Sequence, residues 1–283
     1  MGLGPLVLKL GIARLGWIAS GLSILVVGAA ALLARQADLA QVKAAMDAAS
    51  TLNATGYAKF VSLNMSIVDR ELTELRALQM SGLMLPPQPA LEARLKVLGG
   101  LVLQVAVADA DGQIVDSTLG PPKVAVSIAD RPHFLAVKNN PLDTLFISQP
   151  VLGRVSKKLS LQLVRPILTA DGRFNGAIVA SIDPERLKAY FTNQKALDNQ
   201  GVLTIIGADG IVRFRLDTQG FSAGQDFRIS PRWKEVSTQS SGLYEQPGFL
   251  DGVNRWVAWC CRLPWPMPTG RSWTARLVRP KWP

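Results

Sequence analysis

The chain has 283 residues, with 31 Lys+Arg against 21 Asp+Glu, one histidine and two cysteines. A lone His133 and the neighbours Cys260 and Cys261 exclude a multi-histidine metal site and a disulfide framework, and no zinc spacing, phosphate-cradling glycine loop or nucleophile elbow is present. The net charge of +10 invites a nucleic-acid reading, but the last 24 residues hold five of the bases and no acid; without them 26 bases face 21 acids with no basic stripe, so neither nucleic acid, metal, cofactor nor catalysis is expected.

Leu15 to Ala34 run for twenty positions without a charge. At about 1.5 Å per residue such a helix covers the roughly 30 Å apolar core of a bilayer. Lys9 and Arg14 precede the run and Arg35 follows it before Asp38, so the positive-inside rule favours a cytoplasmic N-terminus (residues 1–14) and a single span over 15–34. A cleaved signal peptide is the alternative, although its apolar region spans only about 7–15 residues.

From Gln36 to about Met80 there is no proline and a single glycine, Gly56. Leu39, Val42, Met46 and Ala49, then Val61, Met65, Val68, Leu72 and Leu75 recur at helical steps, which predicts an amphipathic stalk over 36–82, ended by Leu85-Pro86-Pro87. Strand signals follow. Val102–Ala108 and Gln113–Ser117 flank an Asp-Gly turn, Ser160–Leu168 and Phe174–Ile182 flank another, and 242–246 and 253–259 flank Asp251-Gly252. The run VAVADADGQIVDS recurs as LTIIGADGIVRFR, which suggests two related lobes, over 83–183 and 184–259, with a short helix between Pro184 and Asn199. The expected class is α+β: a transmembrane helix, a stalk helix and two antiparallel-sheet lobes.

After Trp259 the pattern changes to CCRLPWPMPTGRSWTARLVRPKWP, with three of the seven tryptophans. Residues 260–283 show neither helical nor strand periodicity on this reading. They are expected to be out-of-frame translation that leaves the second lobe incomplete, without its last strand; a basic, Trp-rich tail at a membrane surface is the alternative.

The runs SIADRPHF (127–134), LFISQPVLGRVSKKLSLQLVRPI and DGRFNGAIVASIDPERL resemble the double Cache sensor ectodomains of bacterial transmembrane receptors. They are most similar to those preceding GGDEF diguanylate cyclase or EAL domains. The resemblance covers about residues 36–259 and implies two PAS-like lobes on a long helix, the first being membrane-distal. No GGDEF, EAL, HAMP or kinase sequence follows.

The resemblance places the ligand pocket in the distal lobe, around Arg131, whose guanidinium offers a rigid fork to a carboxylate. It points to Asp183, after the strand AIVASI, as the acid for a ligand amine. His133 and Phe134 stand beside Arg131 where amino-acid-binding relatives carry other aromatics, which keeps another carboxylate open as the ligand. Ser148, Gln162 and Arg165 alternate with apolar neighbours, and read either as pocket residues or as a solvated sheet face. Asp130 is expected to cap a helix beginning at Pro132, and Asp111, Asp171 and Asp209 to form turns. The expected protein is thus the periplasmic small-molecule sensor half of an inner-membrane receptor of the c-di-GMP type, with the stalk as a candidate homodimer seam. A stand-alone adaptor and an anchored periplasmic enzyme are the alternatives.

Overall fold

The computed structural model describes residues 4–154, 156–193, 201–248, 250–263 and 273–280; Leu197 of the helix expected between Pro184 and Asn199, and the tail segments 264–272 and 281–283, lie outside them. Helix α1 spans Gly4–Met80. The chain divides into two compact units, Met1–Ala49 and Ser50–Pro283.

In the first unit the helix is apolar all round over the predicted span. Leu22, Ile24, Leu25, Val26, Val27, Leu32 and Leu33 are all more than 60% exposed. A helix with no polar face has no favourable orientation in water, and this one is long and apolar enough to cross a bilayer, with a most apolar window of mean hydropathy 1.6.

In the second unit, Ala54, Ala58, Val61, Met65, Val68, Leu72 and Leu75 are buried in one cluster that includes residues from both sheets described below. Their alternating three- and four-residue steps form a single stripe along α1. Each buried leucine contributes about 1.5–3 kcal/mol, so this stripe makes the 50–80 segment the spine of the unit. Ser81 and Gly82 end the helix; Gly82 has φ +79°, and Leu83 N–H donates to Leu78 O at 3.1 Å.

The first sheet contains β1 (Val102–Asp109), β2 (Ile114–Ser117), β3 (Phe146–Ile147), β4 (Val151–Leu152), β5 (Leu159–Leu168) and β6 (Phe174–Ile182). It is antiparallel in the order β2-β1-β6-β5-β3, with β4 on β5. The second contains β7 (Val202–Ile206), β8 (Val212–Asp217), β9 (Gly220–Ser222), β10 (Ser241–Pro247), β11 (Asn254–Leu263) and β12 (Trp273–Pro280), in the order β10-β11-β12-β7-β8-β9. Helices α2 (Gln88–Arg94), α3 (Pro132–Asn139), α4 (Pro184–Asn193) and α5 (Trp233–Thr238) fill the connections. The α+β class and the predicted hairpins are therefore present.

The two sheets repeat one plan. Read from β2 and from β8, the orders β2-β1-β6-β5-β3 and β8-β7-β12-β11-β10 superimpose in connectivity. Local hydrogen bonds repeat as well: Ile128 N–H donates to Gly112 O (2.7 Å) as Phe227 N–H does to Gly210 O (2.8 Å). Gly112 and Gly210 both have positive φ, and a Cβ on Gly112 would lie 2.6 Å from the backbone of Ala129, so glycine is required there.

That plan corrects one expectation. The second sheet has a strand where β6 stands in the first: β12 pairs with β11 on one side and β7 on the other, so the second lobe is not left incomplete. Trp273, Ala275 and Leu277 alternate with Thr274 and Arg276. That period of two is too short to stand out beside a proline-rich run, yet it suffices where two neighbours offer unpaired ladders.

Candidate ligand-binding site

Strand alternation gives the first sheet two different faces. Val105, Val107, Leu161, Leu163, Ile178, Ala180 and Ile182 join the α1 cluster, whereas Ala106, Ala108, Val164, Ala177 and Val179 face a second cluster with Ile128, Phe134 and Val137. Next to this second cluster lies a cleft with about 390 Å³ of empty space, its mouth included.

The floor of the cleft is polar. Gln104 and Gln162 are both register partners of Ser181, which puts the three in one row across β1, β6 and β5. All three line the cleft and are at most 5% exposed. Ser181 Oγ donates to Gln162 Oε1 (2.9 Å), and Gln162 Nε2 donates to Ser160 Oγ (2.8 Å). Gln104 Oε1 is buried without a partner among the described residues. An orphaned buried acceptor costs about 1–3 kcal/mol, so a row like this calls for a reason outside the fold.

The second sheet provides the comparison. Val278 pairs with Val202 and with Val257, the same row across β7, β12 and β11. Val202 and Val257 are fully buried, in a cluster with Phe227, Tyr244, Trp259 and partly buried Trp233. One plan thus holds Gln-Ser-Gln in the first sheet and three valines in the second. The architecture accepts an apolar row, so it is not what requires the polar one.

The segment before α3 and the β4–β5 connection carry the charges of the cleft. Arg131 lines it half-buried and donates from Nη2 to Leu152 O at 3.1 Å. Arg154 lines it too; its Nη1 and Nη2 reach Asp130 Oδ1 and Oδ2 at 2.6 and 2.7 Å, and Nη1 also donates to Ser127 O. These bonds tie the two segments together. The Arg154 guanidinium holds the Asp130 carboxyl below the usual range, and Arg131 nearby acts in the same direction. His133, 4% exposed, has no partner at Nδ1 among the described residues. Burial, then the Arg131 and Arg154 charges, push its pKa down to about 4, so the imidazole is neutral near pH 7.

Three of the seven residues singled out in the sequence line this cleft: Arg131, His133 and Gln162. The other four are occupied elsewhere. Phe134 is fully buried, edge-on to Phe174 with centroids 5.5 Å apart. Ser148 Oγ accepts from Gln162 N–H (2.9 Å) and donates to Gln149 O, fixing the strand edge. Arg165 lies three residues from Gln162, hence on the opposite face. There it grips Asp69 of α1 through Nε (2.6 Å) and Nη2 (2.9 Å), and Asp143 through Nη1 (2.7 Å). Asp183 sits past the end of β6 and accepts from Glu185 N–H at 2.9 Å, at the start of α4. Asp130 does not cap α3 either; the N-cap is Arg131, with no side-chain cap bond.

Gln104, Ser181 and Arg154 were not singled out in the sequence. The first two are polar residues inside apolar strands, and aligning the two repeated hairpins would have set Gln104 against Val202. Among the described residues, no group of three or more His, Cys, Asp or Glu could hold a metal ion.

No protein-family model matches the chain, and no curated protein matches it. Solved structures do. The extracellular domain of the histidine kinase rpHK1S-Z16 aligns at TM-score 0.68 and 22% identity, over 86% of this chain and 96% of that one. The ligand-binding domain of the Pseudomonas aeruginosa PAO1 chemoreceptor PctB, solved with L-Gln, aligns at 0.55 and 14%, over 82% and 90%. That of the Pseudomonas fluorescens chemoreceptor CtaA, solved with L-isoleucine, aligns at 0.57 and 14%, over 87% and 95%. The fold is one shared with receptor ectodomains.

Proposed function

We propose that this chain is a membrane-anchored extracytoplasmic sensor that binds a small molecule in the first-sheet cleft. The supporting observation is the Gln104–Ser181–Gln162 row beneath Arg131 and His133, set against valines in the matching row of the second sheet. The receptor ectodomains that share the fold support the same reading. The apolar helix of the first unit would anchor the chain in the bacterial inner membrane, its N-terminus cytoplasmic and its sheets periplasmic.

In this reading the sheet of residues 102–182 is the membrane-distal, ligand-binding lobe, and the sheet of 202–280 is the proximal, structural one. Ligand binding would favour one arrangement of α1 over another, which requires tighter binding to one state than to the other. A GGDEF or EAL output domain in the parent receptor rests on the sequence resemblance alone; a histidine-kinase or chemotaxis output fits the shared fold as well. A metabolite panel screened by thermal shift on the full chain tests the reading. At least one small polar compound should raise the melting temperature, and Arg131→Ala should abolish that rise. A rise of equal size in Arg131→Ala would remove the cleft from the site.

A further inference from the structure

We infer that the cleft selects a small organic anion whose remaining polar group is an uncharged hydrogen-bond donor, such as a hydroxycarboxylate, and discriminates against the zwitterion of an α-amino acid. This rests on the cleft being the ligand site, and adds the charge class of the ligand.

Among the described residues, the fixed charges that line the cleft are two guanidiniums, Arg131 and Arg154, and no carboxylate lines it. Each nearby acid is engaged elsewhere. Asp130 is held by both terminal nitrogens of Arg154, and Asp183 accepts the Glu185 N–H beyond the end of β6. An ammonium entering here would meet the unpaired guanidinium of Arg131, with the nearest carboxylate, Asp130, already committed to Arg154, in a setting that screens less than water. A carboxylate meets the opposite situation. Arg131 makes no ion pair with any described acid, and its guanidinium fork stands half-buried at the cleft.

The floor supplies the second half of the recognition. Gln104 Oε1 is a buried acceptor and His133 Nδ1 a buried ring nitrogen that accepts in the Nε2–H tautomer; neither has a partner among the described residues, and both residues line the cleft. They are neutral, so they suit a hydroxyl or amide proton, which loses less on leaving water than an ammonium does. Ser181, central in the row, bonds to Gln162 and provides no negative charge.

The test is calorimetric titration of the full chain in detergent with two isosteric pairs, L-lactate against L-alanine and glycolate against glycine. Each hydroxy acid should bind at least tenfold more tightly than its amino acid. Ser181→Asp and, separately, Gln104→Glu place a carboxylate in the row, and either folded variant should reverse the preference. Two variants are used because one may fail to fold, as melting curves will show. Alanine or glycine binding as tightly as its partner overturns the inference and leaves the sensor reading standing. No saturable binding of any of the four also overturns it, and the metabolite panel with Arg131→Ala then decides the sensor reading separately.

Discussion

Ser181 and Val278 occupy the same position in the two sheets, each the middle residue of a three-strand row. Around Ser181 the neighbours are Gln104 and Gln162; around Val278 they are Val202 and Val257. The duplication acts as an internal control, because it separates what the fold needs from what only one copy carries.

Replacing Gln104 by its counterpart should therefore stabilise the protein while impairing its function. Gln104→Val removes an orphaned buried oxygen, worth about 1 kcal/mol, and should raise the melting temperature by about 2–4 °C. The same variant should lose its thermal response to ligand. A lower melting temperature would mean that Gln104 is needed for packing.

Stability should fall on the acid side because of His133. Its pKa is about 4 in the folded chain against about 6.5 unfolded, so below 6.5 the unfolded chain takes up a proton that the folded chain refuses. The His133 contribution is complete above pH 6.5, declines as pH falls, and levels off below pH 4, a loss on the order of 3 kcal/mol. Chemical denaturation across that window should show the slope, and His133→Gln should flatten it. An unchanged slope in the variant would assign the effect to other groups.

Arg165 and Arg131 should separate stability from binding. Arg165 is 15% exposed and bridges Asp69 of α1 to Asp143, which Arg76 also holds at 2.6 Å. Its removal leaves two carboxylates short of a partner, and Arg165→Ala should cost about 2 kcal/mol, with the ligand response retained. Arg131→Ala should do the reverse, since Arg131 has no acid partner among the described residues. Comparable melting temperatures for the two variants would contradict this division.

A chain ended at Leu263 should fold poorly. Without β12 the facing edges of β7 and β11 are both unpaired in the middle of a sheet, which exposes backbone groups and invites association. Gel filtration should show aggregation where the full chain is monodisperse. A soluble truncated protein with the same melting temperature would show that β12 does not close the sheet.

Much of the fold was legible because its signals are local. Asp-Gly turns set the hairpins, a three-four apolar rhythm set the spine, and Pro86-Pro87 marked its end. The cleft was legible in part, at Arg131 and His133 through the sequence resemblance and at Gln162 through strand alternation. The resemblance assigned the acid role to Asp183, whereas Ser181, two residues earlier, is the one still within the strand and lining the cleft. Arg165 was grouped with Gln162 although an odd spacing places the two on opposite faces. Gln104 was hidden because one polar residue in an apolar run carries no sign of the face it lies on, and Arg154 because its role depends on a contact with Asp130 across 24 positions of sequence.

Hydrogen–deuterium exchange on the full chain, with and without whichever panel compound raises the melting temperature, locates the site directly. Protection should appear in peptides covering 102–109, 127–135 and 174–182, and be absent from 202–206 and 254–259. Protection confined to the second sheet would place the ligand away from the Gln-Ser-Gln row and contradict the assignment of the first-sheet cleft as the sensing site.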